Sequence, residues 1–271
     1  MNIKKSSGAD AAWNALKIQI VDSGYARVGT EWNDVNVRPP YSRLYYIIDG
    51  EGSAESGKQQ RLALQKGRVY LLPAGCALLR YSCAERMTQL YFHLETRTVD
   101  GYDLFSRVGS VMEIPAEADA AELCADYLSG DYLRQIRVRC RVETDVARFI
   151  AASGLEEALM RPRSPFLQAV FRAVRDRLRS SLTIGEIARA LSVSESALTK
   201  RFRSEFGIPL GRYIDEMLAQ EIASRLLTTQ QSVRDIADQL GFCDQFYLSR
   251  FFSAHRGMSP SAYRASLQEQ I

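Results

Sequence analysis

The chain of 271 residues carries few side chains fit for acid–base or metal chemistry: two histidines, His93 and His255, and five cysteines, Cys76, Cys83, Cys124, Cys140 and Cys243. Two histidines cannot form the three-histidine site through which imidazole usually holds iron, manganese or zinc. The same scarcity argues against a Ser-His-Asp catalyst, and no Gly-rich phosphate loop is present in the sequence. These residues predict no enzyme, no metal and no cofactor. What remains for chemistry is charge. Through Ser164 there are 21 Lys and Arg against 21 Asp and Glu, and from Pro165 onward 14 against 11, so the whole net charge of +3 lies in the C-terminal part. Nearly all of those cations are arginine, whose forked guanidinium suits phosphate and guanine edges. A face of arginines is ordinarily just solvated, so spacing has to decide.

Lys200 and Arg250 hold equivalent outward positions in a pattern written twice. The first copy, IARALSVSESALTKRFRSEFG, runs from Ile187 to Gly207, and the second, IADQLGFCDQFYLSRFFSAHRG, from Ile236 to Gly257. Ile187, Ala188 and Leu191 match Ile236, Ala237 and Leu240. After one extra residue in the second turn, Leu198, Lys200, Phe202 and Gly207 match Leu248, Arg250, Phe252 and Gly257. In the first copy Ile184, Ile187, Ala188 and Leu191 share one helical face, and Ala197, Leu198 and Phe202 a second. Val193 is expected inside the first corner, with Ser194 capping the helix that follows. Gly241 supplies the left-handed backbone of the second corner, Phe242 fills it, and Asp244 is the cap. Each copy thus reads as a short helix, a tight turn and a longer helix, the arrangement that lays its second helix in a major groove. Between the copies Leu210, Tyr213, Ile214, Met217, Leu218, Ile222, Leu226 and Leu227 form one apolar stripe, a helix able to bridge two lobes. Before them Phe166, Leu167, Val170, Phe171, Val174 and Leu178 point inward, with Arg172, Arg175, Arg177 and Arg179 outward.

Residues from about 165 to 266 resemble the AraC/XylS family of bacterial transcription regulators. The resemblance is carried by Gly241-Phe242, Asp244, Tyr247, Ser249-Arg250, Phe252, Gly257, Ser259-Pro260 and Tyr263-Arg264. The chain departs from the family at Leu248, at Phe246, where a small polar residue is usual, and at Ser253-Ala254, where basic residues are common. By resemblance, the base and phosphate contacts fall on Glu195, Ser196, Thr199, Lys200 and Arg203 in the first copy and on Gln245, Phe246, Ser249 and Arg250 in the second. Arg172 and Arg175 are candidate phosphate contacts. The implied partners are double-stranded DNA and, by family habit, RNA polymerase, with the protein acting as an activator.

The first hundred residues have another rhythm. RLYYIID, RLALQKG, RVYLLPAG, ALLRYS and TQLYFHLE alternate with Gly and Pro turns, which predicts a small β-barrel or jelly roll. The order GEG, LQKGRVYLLPAG, YFHL is similar to the cupin-like sensor half of many AraC-type regulators. Arg43, Tyr45 and Ile47 share one strand face opposite Leu44, Tyr46 and Ile48, as Gln89, Tyr91 and His93 lie opposite Leu90, Phe92 and Leu94. One face enters the barrel, and Arg43, Tyr45, Tyr91 and His93 are the candidate effector-binding residues. From Ala118 to Ala152 the pattern is helical: Leu123, Tyr127 and Leu128 mark one helix, and Leu133, Ile136, Cys140, Val146, Phe149 and Ile150 a longer one. By resemblance these helices pair two subunits in an antiparallel coil; packing back on the barrel is the competing reading.

The predicted organisation has two domains. An all-β, cupin-like barrel followed by helices occupies residues 1–154, with the barrel over about 1–100 and helices over about 118–152. A linker follows at 155–164, and an all-α double helix-turn-helix domain at 165–271. No run of eighteen apolar residues occurs, and the start MNIKKSSGADAAW lacks a secretion signal. Together with an odd, scattered set of cysteines this predicts reduced thiols in a cytoplasmic protein without a membrane partner. The effector is a small molecule; the alternatives are control by a protein partner, or a cupin enzyme with a DNA-binding tail.

Overall fold

The computed structural model describes residues 16–37, 41–56, 61–74, 76, 79–98, 100–156, 159 and 164–268. The chain divides into two compact units, Met1–Val99 with Asp103–Met160, and Asp100–Tyr102 with Arg161–Ile271. The expected linker at 155–164 lies largely outside the described residues.

In the first unit the strands are β1 (Leu16–Val28), β2 (Asn33–Val37), β3 (Ser42–Gly50), β4 (Gly52–Glu55), β5 (Leu62–Leu64), β6 (Arg68–Leu72), β7 (Leu79–Ser82), β8 (Met87–Thr98) and β9 (Met112–Pro115). They form two antiparallel sheets, ordered β1-β8-β3-β6-β9 and β2-β7-β4-β5. Strand alternation decides what each face meets. Tyr45, Ile47, Tyr70, Leu72 and Met87 from the first sheet pack with Ala54, Leu64 and Tyr81 from the second. Leu44, Tyr46, Val69, Leu71, Leu90, Phe92 and Leu94 point the other way and pack with residues of two helices, α1 (Ala120–Tyr127) and α2 (Tyr132–Ala152). Of the two faces left open by the sequence, the one carrying Arg43 and His93 therefore lies between the sheets.

The long helix buries only the second half of the stripe the sequence picks out, Val146, Phe149 and Ile150. Val138, Val142, Val146, Phe149 and Ile150 are its buried residues, while Leu133 is 69% and Ile136 39% exposed, and Cys140 is exposed too. The apolar residues thus lie on two faces, and the inner one also buries the side chain of Asp145. Tyr46 Oη donates to Asp145 Oδ2 at 2.8 Å, and Arg141 and Arg148 donate to Asp145 Oδ1 at 3.0 and 2.7 Å. That network ties α2 to β3 and leaves Leu128, Tyr132, Leu133 and Ile136 facing out.

In the second unit α3 (Pro165–Arg175) starts at Ser164, whose hydroxyl accepts from Leu167 N–H, with proline at the first turn, where its missing N–H costs no helical bond. Then come α4 (Ile184–Ala190), α5 (Glu195–Phe206), α6 (Leu210–Thr228), α7 (Val233–Gln239), α8 (Gln245–Arg256) and α9 (Pro260–Gln268). Two cores form. Phe171, Ile187, Leu198, Phe202 and Phe206 make the first with Leu210, Tyr213 and Ile214 of α6; Ile236, Leu240, Leu248, Phe252 and Tyr263 make the second with Leu218, Ile222 and Leu226. The apolar stripe of α6 thus serves one core with its first half and the other with its second; the Leu227 side chain lies outside the described residues. Leu178 packs against both cores, and Ser180 N–H donates to Leu240 C=O at 2.8 Å.

Candidate functional site

The two helix pairs, α4–α5 and α7–α8, are built on one backbone plan. In the first turn Leu191 N–H donates to Ile187 C=O and Val193 N–H reaches back to Ala188 C=O at 3.0 Å; in the second Leu240 N–H donates to Ile236 C=O and Phe242 N–H to Ala237 C=O at 2.9 Å. Such closure needs a left-handed residue at the corner. Gly241 takes it at φ 71°, and in the first turn Ser192 does at φ 55°. The extra residue of the second turn is Cys243, placed between the corner and the cap. Ser194 accepts from Ala197 N–H and Asp244 from Tyr247 N–H, and both second helices end on left-handed glycines, Gly207 and Gly257. The hydrogen bond from Tyr247 holds the Asp244 carboxyl below its ordinary pKa. Phe242 is buried as expected, but Val193 is not: it is 39% exposed. Half-buried Leu191 is the turn residue that packs against the first core.

Of the residues expected at the interface, Ser196, Thr199, Lys200 and Arg203 come together along one groove of about 570 Å³, with Ile184, Ser204, Pro209, Leu210 and Gly211. Glu195 stands apart from that lining; its carboxylate lies so close over Gly185 that a Cβ there would meet Oε1 at 2.6 Å. In the second pair Phe246 and Arg250 are exposed, whereas Gln245 and Ser249 are half-buried. Thr199 and Ser249 hold matching positions and behave alike, each hydroxyl donating to the carbonyl four residues back at 2.8 Å. Each proton is thus spent on the helix, and the oxygen faces out as an acceptor.

Ion pairing separates the structural arginines from the rest. Arg179, Arg201, Arg225 and Arg256 pair with Glu186, Glu205, Glu221 and Glu216. Lys200, Arg203 and Arg250 have no ion-pair partner among the described residues, and neither do Arg172 and Arg175 on the exposed side of α3. Cations held on a rigid outward face without a carboxylate are what a polyanion requires. The sequence reading missed Ser204, Pro209 and Gly211 in the groove; the Gly207 stop and the proline two residues on were the signal that α6 begins there.

Between the sheets of the first unit the four expected effector residues are direct cross-strand neighbours: Arg43 stands opposite His93, and Tyr45 opposite Tyr91. His93 is also opposite Asp22, whose Oδ2 lies 3.1 Å from His93 Nδ1. Burial lowers the His93 pKa against the pull of the Asp22 hydrogen bond. Burial likewise pushes Tyr91 up to about 12. The Arg43 guanidinium lies 5.8 Å from the Tyr41 ring and 5.3 Å from the Tyr81 ring, and its buried Nε has no hydrogen-bond partner. Asp22, Tyr41 and Tyr81 were not among the expected residues. Asp22 reaches this face because a bulge between Ile20 and Asp22 inverts the alternation of β1.

The comparisons with known proteins meet this geometry at the second unit. A helix-turn-helix domain model matches residues 187–266. The HTH-type transcriptional activator AarP of Providencia stuartii is 33% identical over 104 residues, 38% of this chain and 77% of that protein. The chain belongs to the AraC/XylS family of transcription regulators. Its helix-turn-helix domain is accordingly a DNA-binding domain. The Escherichia coli arabinose operon regulatory protein is 28% identical over 119 residues, 44% of this chain but only 41% of that regulator's length. The raffinose operon transcriptional regulatory protein RafR of Pediococcus pentosaceus is 23% identical over 255 residues, 86% of this chain and 87% of RafR. The crystal structure of ToxT from Vibrio cholerae O395 shares the fold, a β-sheet region followed by a helical one, with a TM-score of 0.54 at 14% identity over 92% of this chain and 98% of ToxT. Among the described residues no helix is long and apolar enough to cross a membrane.

Proposed function

We propose that the second unit, residues 165–271, is a double helix-turn-helix reader whose α5 and α8 enter two successive major grooves on one face of the DNA. The observation that carries this reading is the repeated turn, with unpaired Lys200, Arg203 and Arg250 outward from it. On α5 the contacts are Glu195, Ser196, Thr199, Lys200 and Arg203; on α8 they are Gln245, Phe246, Ser249 and Arg250, with Arg172 and Arg175 on phosphate. A 19-residue α6 is roughly 28 Å long, commensurate with a groove repeat of about 34 Å. Selection of sites from a random duplex pool tests it: the chain should enrich an asymmetric site of about two helical turns, and enrichment of no sequence would refute it.

The first unit is the switch of an activator. Its two facing sheets form a cupin-like jelly roll, and Arg43, Tyr45, Tyr91 and His93 hold a small-molecule effector between them. The polar row Asp22, His93, Arg43 against aromatic walls supports this reading. A metabolite screen by melting temperature tests it; silence there, with a protein captured in pull-down, would move control to a protein partner. The outward side chains Leu128, Tyr132, Leu133 and Ile136 support dimerisation through α2. Leu133→Glu with Ile136→Glu should then halve the sedimenting mass. Transcription reconstituted with RNA polymerase distinguishes activation from repression.

A further inference from the structure

We infer that Phe246 reads the C5-methyl group of a thymine in the second half-site, a selectivity the first half-site lacks. The inference rests on the proposed placement of α8 in a major groove. Phe246 is 66% exposed. It stands outside the second core, which takes Leu248, Phe252 and partly buried Phe251 from the same helix. No ring among the described residues stacks on it, whereas Phe242 packs against both Tyr247 and Phe251, at 5.7 and 5.5 Å. The position is fixed all the same. Asp244 caps the helix through Tyr247 N–H at 2.6 Å, so the second helical residue is held at the leading turn. Phe246 and Arg250 are four residues apart and share a face.

A phenylalanine ring held in water is an unfavourable surface, and what it is offered decides what covers it. Base edges in the major groove are hydrogen-bond donors and acceptors with one apolar exception, the thymine methyl. Against the cytosine amino group or the guanine N7 and O6, the ring would strip water from polar atoms and return no hydrogen bond. A thymine turned toward it loses nothing and buries a methyl. At the matching place after its cap, α5 carries Ser196, whose hydroxyl both donates and accepts and so tolerates several bases. The two half-sites therefore differ in one apolar requirement, on the α8 side.

The test uses the full-length chain and Phe246→Ser, an exposed substitution expected to leave the melting curve unchanged. In site selection the wild-type chain enriches a thymine at one position of one half-site, and Phe246→Ser loses that preference while keeping the others. Replacing the selected thymine by deoxyuridine keeps every hydrogen-bonding group and removes the methyl. Wild-type affinity should then fall about fourfold, the worth of one methyl taken from water, and the affinity of Phe246→Ser should not change. Specific binding that ignores the deoxyuridine overturns the inference. If the wild-type chain selects no sequence at all, the placement of α8 fails with it. A Phe246→Ser protein that keeps the same base preference and affinity but no longer activates transcription would show Phe246 to be a protein contact instead.

Discussion

Ser192 and Gly241 occupy the same left-handed corner of the two helix pairs, yet Val193 after the one is exposed and Phe242 after the other is buried. The ends of the second helices differ as well. Phe206, one residue before Gly207, fills the first core, whereas Arg256, one residue before Gly257, is only 2% exposed and pairs with Glu216 of α6 at 2.8 Å. At the leading turns Ser196 in the first copy corresponds to Phe246 in the second. What the two copies keep is what the backbone needs: caps, corner hydrogen bonds, the buried Leu198 and Leu248, Phe202 and Phe252, and the terminal glycines. What they change includes the outward residue of the leading turn and the residue that fastens each pair to α6, Phe206 against Tyr213 and Arg256 on Glu216. Duplication here has preserved geometry and released chemistry.

The largest effects should come from the helix ends. Phe206→Ala should cost about 3–5 kcal/mol as a cavity in a fully packed core, and Arg256→Ala about 3 kcal/mol by leaving Glu216 half-buried without its cation. Urea unfolding measures both. If the pairs are interchangeable in plan, Arg256→Phe with Glu216→Leu should come close to the wild-type stability, as apolar replacement of a buried pair often does; a loss as large as that of Arg256→Ala would show that the ion pair is required by the backbone. Next in size are the outward cations. Arg250→Ala should weaken a specific site by about 1–3 kcal/mol if it reads a base, and Lys200→Ala should act on the other half-site; an unchanged Arg250→Ala binding curve removes it from the interface.

The corner substitutions should be smaller. Gly241→Ser should cost about 1 kcal/mol, because its Cβ would meet only ordinary contacts, with Ser180 Oγ at 3.7 Å and Arg179 Cβ at 3.8 Å, and the penalty is backbone alone. Ser192→Gly should change stability by no more than about 0.5 kcal/mol, since glycine relieves the left-handed corner at a similar cost in unfolded-chain entropy. Least of all, Arg172→Ala and Arg175→Ala should weaken every DNA sequence alike and lower the salt slope by about 1 each; a loss confined to one sequence would place them on bases.

Much of this was legible because it follows from local rules. Ser194, Asp244, Gly207 and Gly257 act through hydrogen bonds and backbone angles set by a few neighbouring residues, and the apolar stripe of α6 follows from its period. Other features depend on distant partners. Arg256 gives no local sign of burial, since arginine is ordinarily exposed and its carboxylate is forty residues earlier. Leu133 and Ile136 fit a buried stripe, yet the inner face of α2 buries Asp145, anchored by Tyr46. β1 went unread because its bulge breaks the alternation at Asp22, and four-residue β9 is too short to show a period. At the candidate interface the outward positions were legible, but which arginines are free was not, because ion pairing is decided by the fold.

We propose that α5 and α8 are two unlike readers of one DNA. Hydroxyl-radical footprinting of the purified chain on a selected site tests that most directly, run beside Lys200→Ala and Arg250→Ala. The expected result is two protected patches of different sequence about 10 base pairs apart on one face, one weakened by each substitution. A single patch, two identical half-sites, or both patches lost together with either substitution would contradict it.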